Sequence, residues 1–345
     1  MKAFRIRLLS WYRKEKRLLP WRKTRNPYKI WVSEIMLQQT QVATVIPYYR
    51  RWVKNLPTLR SLAGAPTGKV LRLWEGLGYY RRARFLHEAA KKVVRIHGGK
   101  IPQEASLLEK LPGIGRYTAG AIASIAFGEK TPVLDGNVIR VLTRIFGIRQ
   151  SVDRAGTVMR LWSLAGKVLE KSFPGDFNQA MMELGATVCF PQNPECRVCP
   201  VRSLCKAHRI KKEMFFPVKT RREVYEDVTM FAAVLLQDSH EKVFLQKQPG
   251  GHWWAGLWTF PFYNSLQKLR ELHGKNGIRL IGQIRHSVTR FRINLKIWQK
   301  TVPARNLNRA RGGRWVNINN LGRIPLPAPH RKIARLINSL SESGR

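Results

Sequence analysis

A chain of 345 residues is long enough for two domains, each with its own buried core. Its 63 Lys and Arg against 21 Asp and Glu give a formal charge of +42, which calls for a polyanionic partner, nucleic acid first. No apolar run reaches the roughly 18 residues of a membrane span, no lipidation motif is present, and the basic N-terminus lacks the apolar core and cleavage site of a secretory signal. A cytoplasmic protein working on the nucleoid, with no membrane partner, is the expectation.

Residues 1–19 read as a basic helix with Leu8, Leu9, Trp11 and Leu18 as its apolar members, ended by Pro20-Trp21-Arg22. Asn26-Pro27 opens a second helix, Ile30 to Leu37, in which Glu34 stands among Trp31, Ile35 and Met36. An exposed glutamate is the ordinary alternative. These neighbours instead imply partial burial, which raises a carboxyl pKa and lets it hold a proton near neutrality. Gln38-Gln39-Thr40-Gln41 continues as a polar patch. Leu71–Tyr80 is a Gly-rich turn between helices, followed at once by Arg81, Arg82 and Arg84. Tyr79 and Tyr80 there suit either core packing or a wedge entering a base stack.

Pro112-Gly113-Ile114-Gly115 is a tight turn between two helical patterns. Gly113 and Gly115 permit positive φ and leave backbone N–H groups uncovered at a helix N-terminus, an arrangement that holds phosphate. The helix Thr118 to Phe127 is built of small residues, so another element packs closely on it. Val133-Leu134 then deliver Asp135 to the start of a further helix, where an ionised carboxylate is favoured, with Asn137 two residues on.

Helices are expected at Leu161–Leu169 and Phe177–Val188. All four cysteines follow as Cys189-x6-Cys196-x2-Cys199-x5-Cys205. Clustering of this kind points to metal rather than a disulfide framework. One compact wrap turned by Pro191, Pro194 and Pro200 suits a four-thiolate cubane better than zinc, which favours separated pairs. Lys206–Arg222 is charged and aperiodic and reads as a linker. Beyond it the period becomes that of strands: Val228–Leu236, Val243–Gln246, Gly256–Phe260 and Ile293–Gln299, with one helix at Ser265–His273.

Several of these motifs carry a family resemblance. LPGIGRYTA…VLDGN resembles the helix-hairpin-helix plus Gly/Pro-Asp signature of the endonuclease III superfamily of DNA glycosylases. WVSEIMLQQTQV resembles the catalytic helix of its MutY-type adenine glycosylases, GLGYYRRAR their intercalation loop, and the cysteine spacing their [4Fe–4S] loop. GHWWAGLWTFP (251–261) resembles the start of a Nudix fold, but Glu271 is the lone acidic residue between Pro261 and Gly274. A Nudix hydrolase needs an arginine and several glutamates there, so the domain is expected to read DNA without hydrolase activity.

The resemblance covers nearly the whole chain and implies a multidomain fold. An all-α helix-hairpin-helix glycosylase module (1–205, with the iron–sulfur loop at 189–205) precedes a basic linker (206–224) and an α+β Nudix-like mismatch-recognition domain (225–345). It implies a monomer with one [4Fe–4S] cluster on Cys189, Cys196, Cys199 and Cys205. Its substrate would be double-stranded DNA containing A·8-oxoguanine or A·G mispairs. Glu34 would be the acid and Asp135 the carboxylate that stabilises the sugar cation, the logic of a glycosidase with two carboxyls. Asn137 would orient Asp135. Tyr117 stands where the bifunctional members carry a Schiff-base lysine, which implies base release without strand cleavage. Arg22 and Gln179 match the adenine pocket, and Gln39, Thr40, Leu77 and Tyr79 the positions beside the opposite base, with Gly113 and Gly115 on the backbone. His286, Val288, Thr289 and Arg290 fall in the opposite-base loop, where the family reads Phe-Ser-His and this chain has Val288-Thr289-Arg290. Two other readings are a thymine glycosylase for G·T mismatches and a non-catalytic iron–sulfur DNA-binding protein.

Overall fold

The computed structural model describes residues 1–220, 224–251, 253–303 and 313–343. The chain divides into two compact units, Met1–Gly64 with Phe85–Arg222, and Ala65–Arg84 with Glu223–Arg345. The turn with Tyr79 and Tyr80 therefore packs with the C-terminal residues, which local sequence could not foretell.

The first unit is helical. It begins with α1 (Lys2–Glu15), α2 (Pro27–Leu37), α3 (Val42–Asn55) and α4 (Leu59–Ala63). After α5 (Thr67–Trp74), which belongs to the second unit, it resumes within α6 (Arg81–Ile96) and continues through α7 (Ala105–Leu108), α8 (Arg116–Phe127) and α9 (Gly136–Phe146). It closes with α10 (Ala155–Val168), α11 (Pro174–Thr187) and α12 (Lys206–Arg209). α1 is shorter than expected because Lys16 turns extended. α2 starts where Asn26 accepts the Lys29 N–H at 3.1 Å with Pro27 at its first position. Its run from Tyr28 to Met36 is buried except at Lys29, so the helix is covered all round. Phe4, Leu8 and Tyr12 of α1 join Val138, Val141 and Leu142 of α9 and Phe177, Ala180 and Met181 of α11 in one core.

Two glycines set the spacing. Gly113 has φ 74°, and a Cβ there would lie 2.5 Å from the Phe85 Cβ. Gly115 does not share that conformation. Its φ of −96° is that of an ordinary extended helix cap, so only Gly113 uses the positive φ that glycine permits. A Cβ at Gly185 would sit 2.5 Å from the Asn137 Cβ, so α11 lies directly on the N-terminal turn of α9. The segment expected as a tether belongs to the first unit as far as Thr220. Arg144 Nε donates to the Glu213 and Phe216 carbonyls at 2.9 and 3.2 Å, and the Thr220 N–H donates to Asp153 at 2.6 Å. Backbone carbonyls meeting a buried arginine leave no periodic pattern in sequence.

The second unit is built on a sheet ordered β3-β2-β1-β6-β5, with β4 on β1 and β7 on β2. Its strands are β1 (Glu226–Gln237), β2 (Lys242–Lys247), β3 (Trp258–Thr259), β4 (Phe262–Tyr263), β5 (Ile278–Val288), β6 (Phe291–Val302) and β7 (Gly313–Asn317). β1 and β6 are parallel over twelve residue pairs, Glu226↔Phe291 to Gln237↔Val302. Helices α13 (Leu266–His273) and α14 (Ala328–Ser343) join α5 in this unit. Alternation along β1 and β6 places Met230, Val234, Leu236, Ile293, Leu295 and Ile297 in one core, where Ile333 and Ile337 of α14 also lie. The strand expected at 256–260 shrinks to two residues, because the chain turns at Gly256 (φ 79°). Among the described residues no helix is long and apolar enough to cross a membrane.

Candidate active site and cysteine loop

One cleft in the first unit gathers Arg22, Glu34, Gln39, Thr40, Tyr117, Asp135, Asn137 and Gln179. Segments distant in sequence build it: the Pro20–Lys23 turn, the end of α2 and the turn after it, the start of α8, the start of α9 and one face of α11. Glu34 is 5% exposed. Tyr117 donates its hydroxyl to Glu34 Oε2 at 2.7 Å and lies 3.2 Å from Met182 Sδ. Burial pushes the Glu34 carboxyl up to about 7. The neighbouring Asp135 charge adds to the rise, and the Tyr117 hydrogen bond and the Arg22 charge oppose it. The same burial, with both carboxylates nearby, drives the Tyr117 phenol well above its usual value.

Asp135 caps α9, accepting the Val138 N–H and the Asn137 amide at 2.8 Å each. Its carboxyl is nevertheless raised above the ordinary aspartate value. Burial dominates, and the two hydrogen bonds and the Arg140 charge offset only part of it. Arg140 carries no motif signal in the sequence. It donates to Asn137 Oδ1 at 2.8 Å, to the Gly185 carbonyl at 2.8 Å and to the Cys189 carbonyl at 2.7 Å. A hydrogen-bonded line thus runs from Asp135 through Asn137 and Arg140 to the cysteine loop.

Glu183 is a second residue that sequence reasoning misses, although Met181, Met182 and Leu184 flank it as apolar residues flank Glu34. It accepts Arg17 Nη2 and Arg22 Nη2 at 2.7 Å each. Burial alone would raise its pKa, but the hydrogen bonds from the two guanidiniums prevail and hold it at about 2. Arg22 therefore faces the cleft on a fixed carboxylate. Gln179 makes a 3.4 Å bond to the Gly175 carbonyl of its own helix.

Gly113, Gly115, Leu77, Tyr79 and the 286–290 residues do not line this cleft. Gly113 and Gly115 are exposed at the start of α8. In the second unit Leu77 is buried, whereas Tyr79 is 45% exposed with φ 46°. The expected opposite-base loop is a two-residue hairpin turn. Val288 pairs with Phe291, and His286 lies within β5 opposite Ile293. Thr289 turns with φ 51° and donates its hydroxyl to the Val288 carbonyl at 2.7 Å. Arg290 pairs with Glu226 at 3.1 Å, and burial lowers the His286 pKa.

The four cysteines line a single cavity walled by Val141, Ile145, Leu184, Val188 and Val201. None of the four is joined in a disulfide. Arg144 donates to Cys189 Sγ at 3.3 Å and to the Phe190 and Pro191 carbonyls at 2.6 and 2.9 Å. Four sulfurs around an apolar cavity, with a buried cation donating to one of them, fit an anionic all-thiolate cluster. Glu213 and His208 stand beside Cys196 and give one edge of the loop mixed donors.

Residues 32–165 match the HhH-GPD superfamily of base excision DNA repair proteins, and residues 232–336 match the NUDIX domain. An adenine DNA glycosylase of Buchnera aphidicola subsp. Baizongia pistaciae is 34% identical over 97% of this chain and 96% of its own length. The chain belongs to the adenine DNA glycosylase family. The family's rat member is 57% identical over 216 residues, 60% of this chain, which spans 42% of that relative's length. A solved thermostable thymine-DNA glycosylase is 30% identical, with a TM-score of 0.56 over 61% of this chain and 96% of its own.

Proposed function

We propose that this chain is a monofunctional adenine DNA glycosylase. It would flip adenine out of A·8-oxoguanine and A·G mispairs in double-stranded DNA and hydrolyse the N-glycosidic bond. The observation that carries this reading is Glu34, a buried carboxyl with a pKa near 7 in a cleft shared with Asp135. The bond to the sugar breaks with its electron pair leaving on the base, and Glu34 gives its proton to a ring nitrogen of adenine. Asp135 stabilises the oxocarbenium sugar, with Asn137 holding the carboxylate in place. Water adds to the sugar carbon and returns a proton to Glu34. Tyr117 holds Glu34 through its hydroxyl and supplies no amine, so the product is an abasic site on an intact strand. Arg22 and Gln179 would contact the base. Gln39, Thr40, Leu77 and Tyr79 would occupy the gap it leaves, and Gly113 and Gly115 the backbone. His286, Val288, Thr289 and Arg290 would meet the opposite base.

Cys189, Cys196, Cys199 and Cys205 would hold one [4Fe–4S] cluster, which ties the basic 189–209 loop into a fixed shape when bound. The charge of +42 supports DNA as the partner and a steep loss of affinity with salt. The deciding experiment measures base release from duplexes with adenine opposite 8-oxoguanine, guanine and cytosine, and with thymine opposite guanine. Iron and labile sulfide are counted in the same preparation. Adenine release from the first two alone supports the reading. Release of thymine alone would favour the second reading, which the thymine-DNA glycosylase likeness keeps in view.

A further inference from the structure

Residues 65–84 fold with the C-terminal unit, and the contacts that hold them there are specific. Glu75 ends α5 and begins the turn that exposes Tyr79. Its carboxylate takes a two-pronged bond from Arg331 of α14, Nε to Oε1 at 2.5 Å and Nη2 to Oε2 at 3.0 Å. Both side chains are largely buried, 10% and 15% exposed. Arg331 also donates to the Leu321 and Ile324 carbonyls. One guanidinium thus joins α14, the 321–324 segment and the start of the Tyr79 turn. The far side of the turn is fixed as well, because the Tyr80 hydroxyl donates to the Leu326 carbonyl at 3.3 Å and Arg84 to the Ala255 carbonyl at 2.7 Å. Between these anchors Gly76, Gly78 and Tyr79 all have positive φ. The Trp74 indole donates to the Gly78 carbonyl at 3.0 Å, and the Arg82 guanidinium lies over the Tyr79 ring at 5.5 Å. Tyr79, Val288 and Thr289 line the same pocket of this unit.

We propose that the Glu75–Arg331 ion pair is a positioning clamp that sets the Tyr79 turn against the 288–289 hairpin, so that wedge insertion and reading of the opposite base occur together. The proposal rests on the activity proposed above. A two-pronged pair fixes angle as well as distance, and a turn with three left-handed residues holds its shape only while its ends are held. Glu75 has a second partner, Arg72 at 2.6 Å, but that arginine is 44% exposed and on the same helix, so it tethers nothing across the unit.

The test uses the full chain with its metal loaded, as wild type, Glu75→Gln, Arg331→Met, the double variant, Arg331→Lys and Arg72→Met. The readouts are the ratio of initial rates on A·8-oxoguanine and A·G duplexes, the emission of 2-aminopurine placed beside the mispair, and amide exchange at 76–80 in the free protein. We expect each single variant to lower the rate ratio roughly tenfold and the double variant to lower it no further, as a broken pair requires. The emission rise should be lost and exchange at 76–80 should quicken, Arg331→Lys should recover part of both, and Arg72→Met should match wild type. Additive losses in the double variant, or unchanged emission and exchange in both single variants, would overturn the clamp. If the wild type released no adenine from any duplex, the proposed activity would fail while exchange would still decide the clamp.

Discussion

Glu34→Gln separates chemistry from stability. The folded protein holds this carboxyl near pKa 7 against an ordinary 4.5, so burial disfavours its ionised form by about 3 kcal/mol, at roughly 1.4 kcal/mol per unit. The side chain is fully enclosed, so solvent screening takes little from that figure. The sign follows from a folded-state pKa that is raised. Stability is fully present below the unfolded value of 4.5 and is lost as pH rises through 7, because the unfolded chain sheds the proton readily and the folded one does not. Glutamine keeps an acceptor for the Tyr117 hydroxyl and carries no charge to bury. The variant should therefore exceed wild type by about 1 kcal/mol near pH 5 and about 3 kcal/mol near pH 8.5. In a unit of this size the larger gain is roughly 6–12 °C of melting temperature. Base release should vanish, since an amide has no proton to give, while duplex affinity persists. Melting curves followed by circular dichroism at the two pH values check this. An equal difference at both, or near wild-type base release, would refute the assignment of Glu34 as a buried acid.

Three further outcomes are expected. Single-turnover base release should fall as pH rises through about 7, where Glu34 loses its proton, and should fall again in acid as Asp135 gains one; a rate rising through pH 8 would contradict this. Tyr117→Lys should acquire strand nicking, trapped as a covalent product by borohydride, because the new amine lies where the hydroxyl now meets Glu34. Replacing Val288-Thr289-Arg290 by Phe-Ser-His should raise the preference for 8-oxoguanine over guanine, by roughly 1–3 kcal/mol for each base-edge contact regained. Thr289→Ser also removes a β-branched residue from a left-handed turn, so a preference ratio identical to wild type would show that the hairpin does not set specificity.

The burial of Glu34 is legible in sequence because Trp31, Ile35 and Met36 surround it on the helix and leave no polar stripe to face solvent, and the structure raises its pKa as that burial requires. The helix start at Asp135 is legible from its cap chemistry. The rise in its pKa is not, since a cap contributes locally while the opposing desolvation comes from burial in the folded unit. The hairpin at 288–291 is hidden in the sequence because Thr289 and Arg290 are unusual turn residues, and their register is set by the long pairing of β5 with β6. The grouping of 65–84 with the second unit rests on Glu75, Tyr80 and Arg84 meeting residues about 170–260 positions away, which no local pattern encodes.

The cleft carries three carboxyls, and each has a different fate for a physical reason visible in its partners. Glu34 has one neutral hydroxyl as its near partner, so burial wins and the acid holds its proton at neutrality. Glu183 is still less exposed, yet two guanidiniums bond it directly and it stays ionised down to about pH 2. Asp135, which burial raises, has a backbone N–H and an amide for donors, with Arg140 one residue removed through Asn137. Burial therefore sorts none of the three. What sets Glu183 apart is that cations touch its carboxylate directly. Arg22 lowers the Glu34 pKa through its charge alone, while its hydrogen bond to a carboxylate goes to Glu183. A direct Arg22–Glu34 pair would favour the carboxylate over the acid, against the proton-donor role proposed for Glu34.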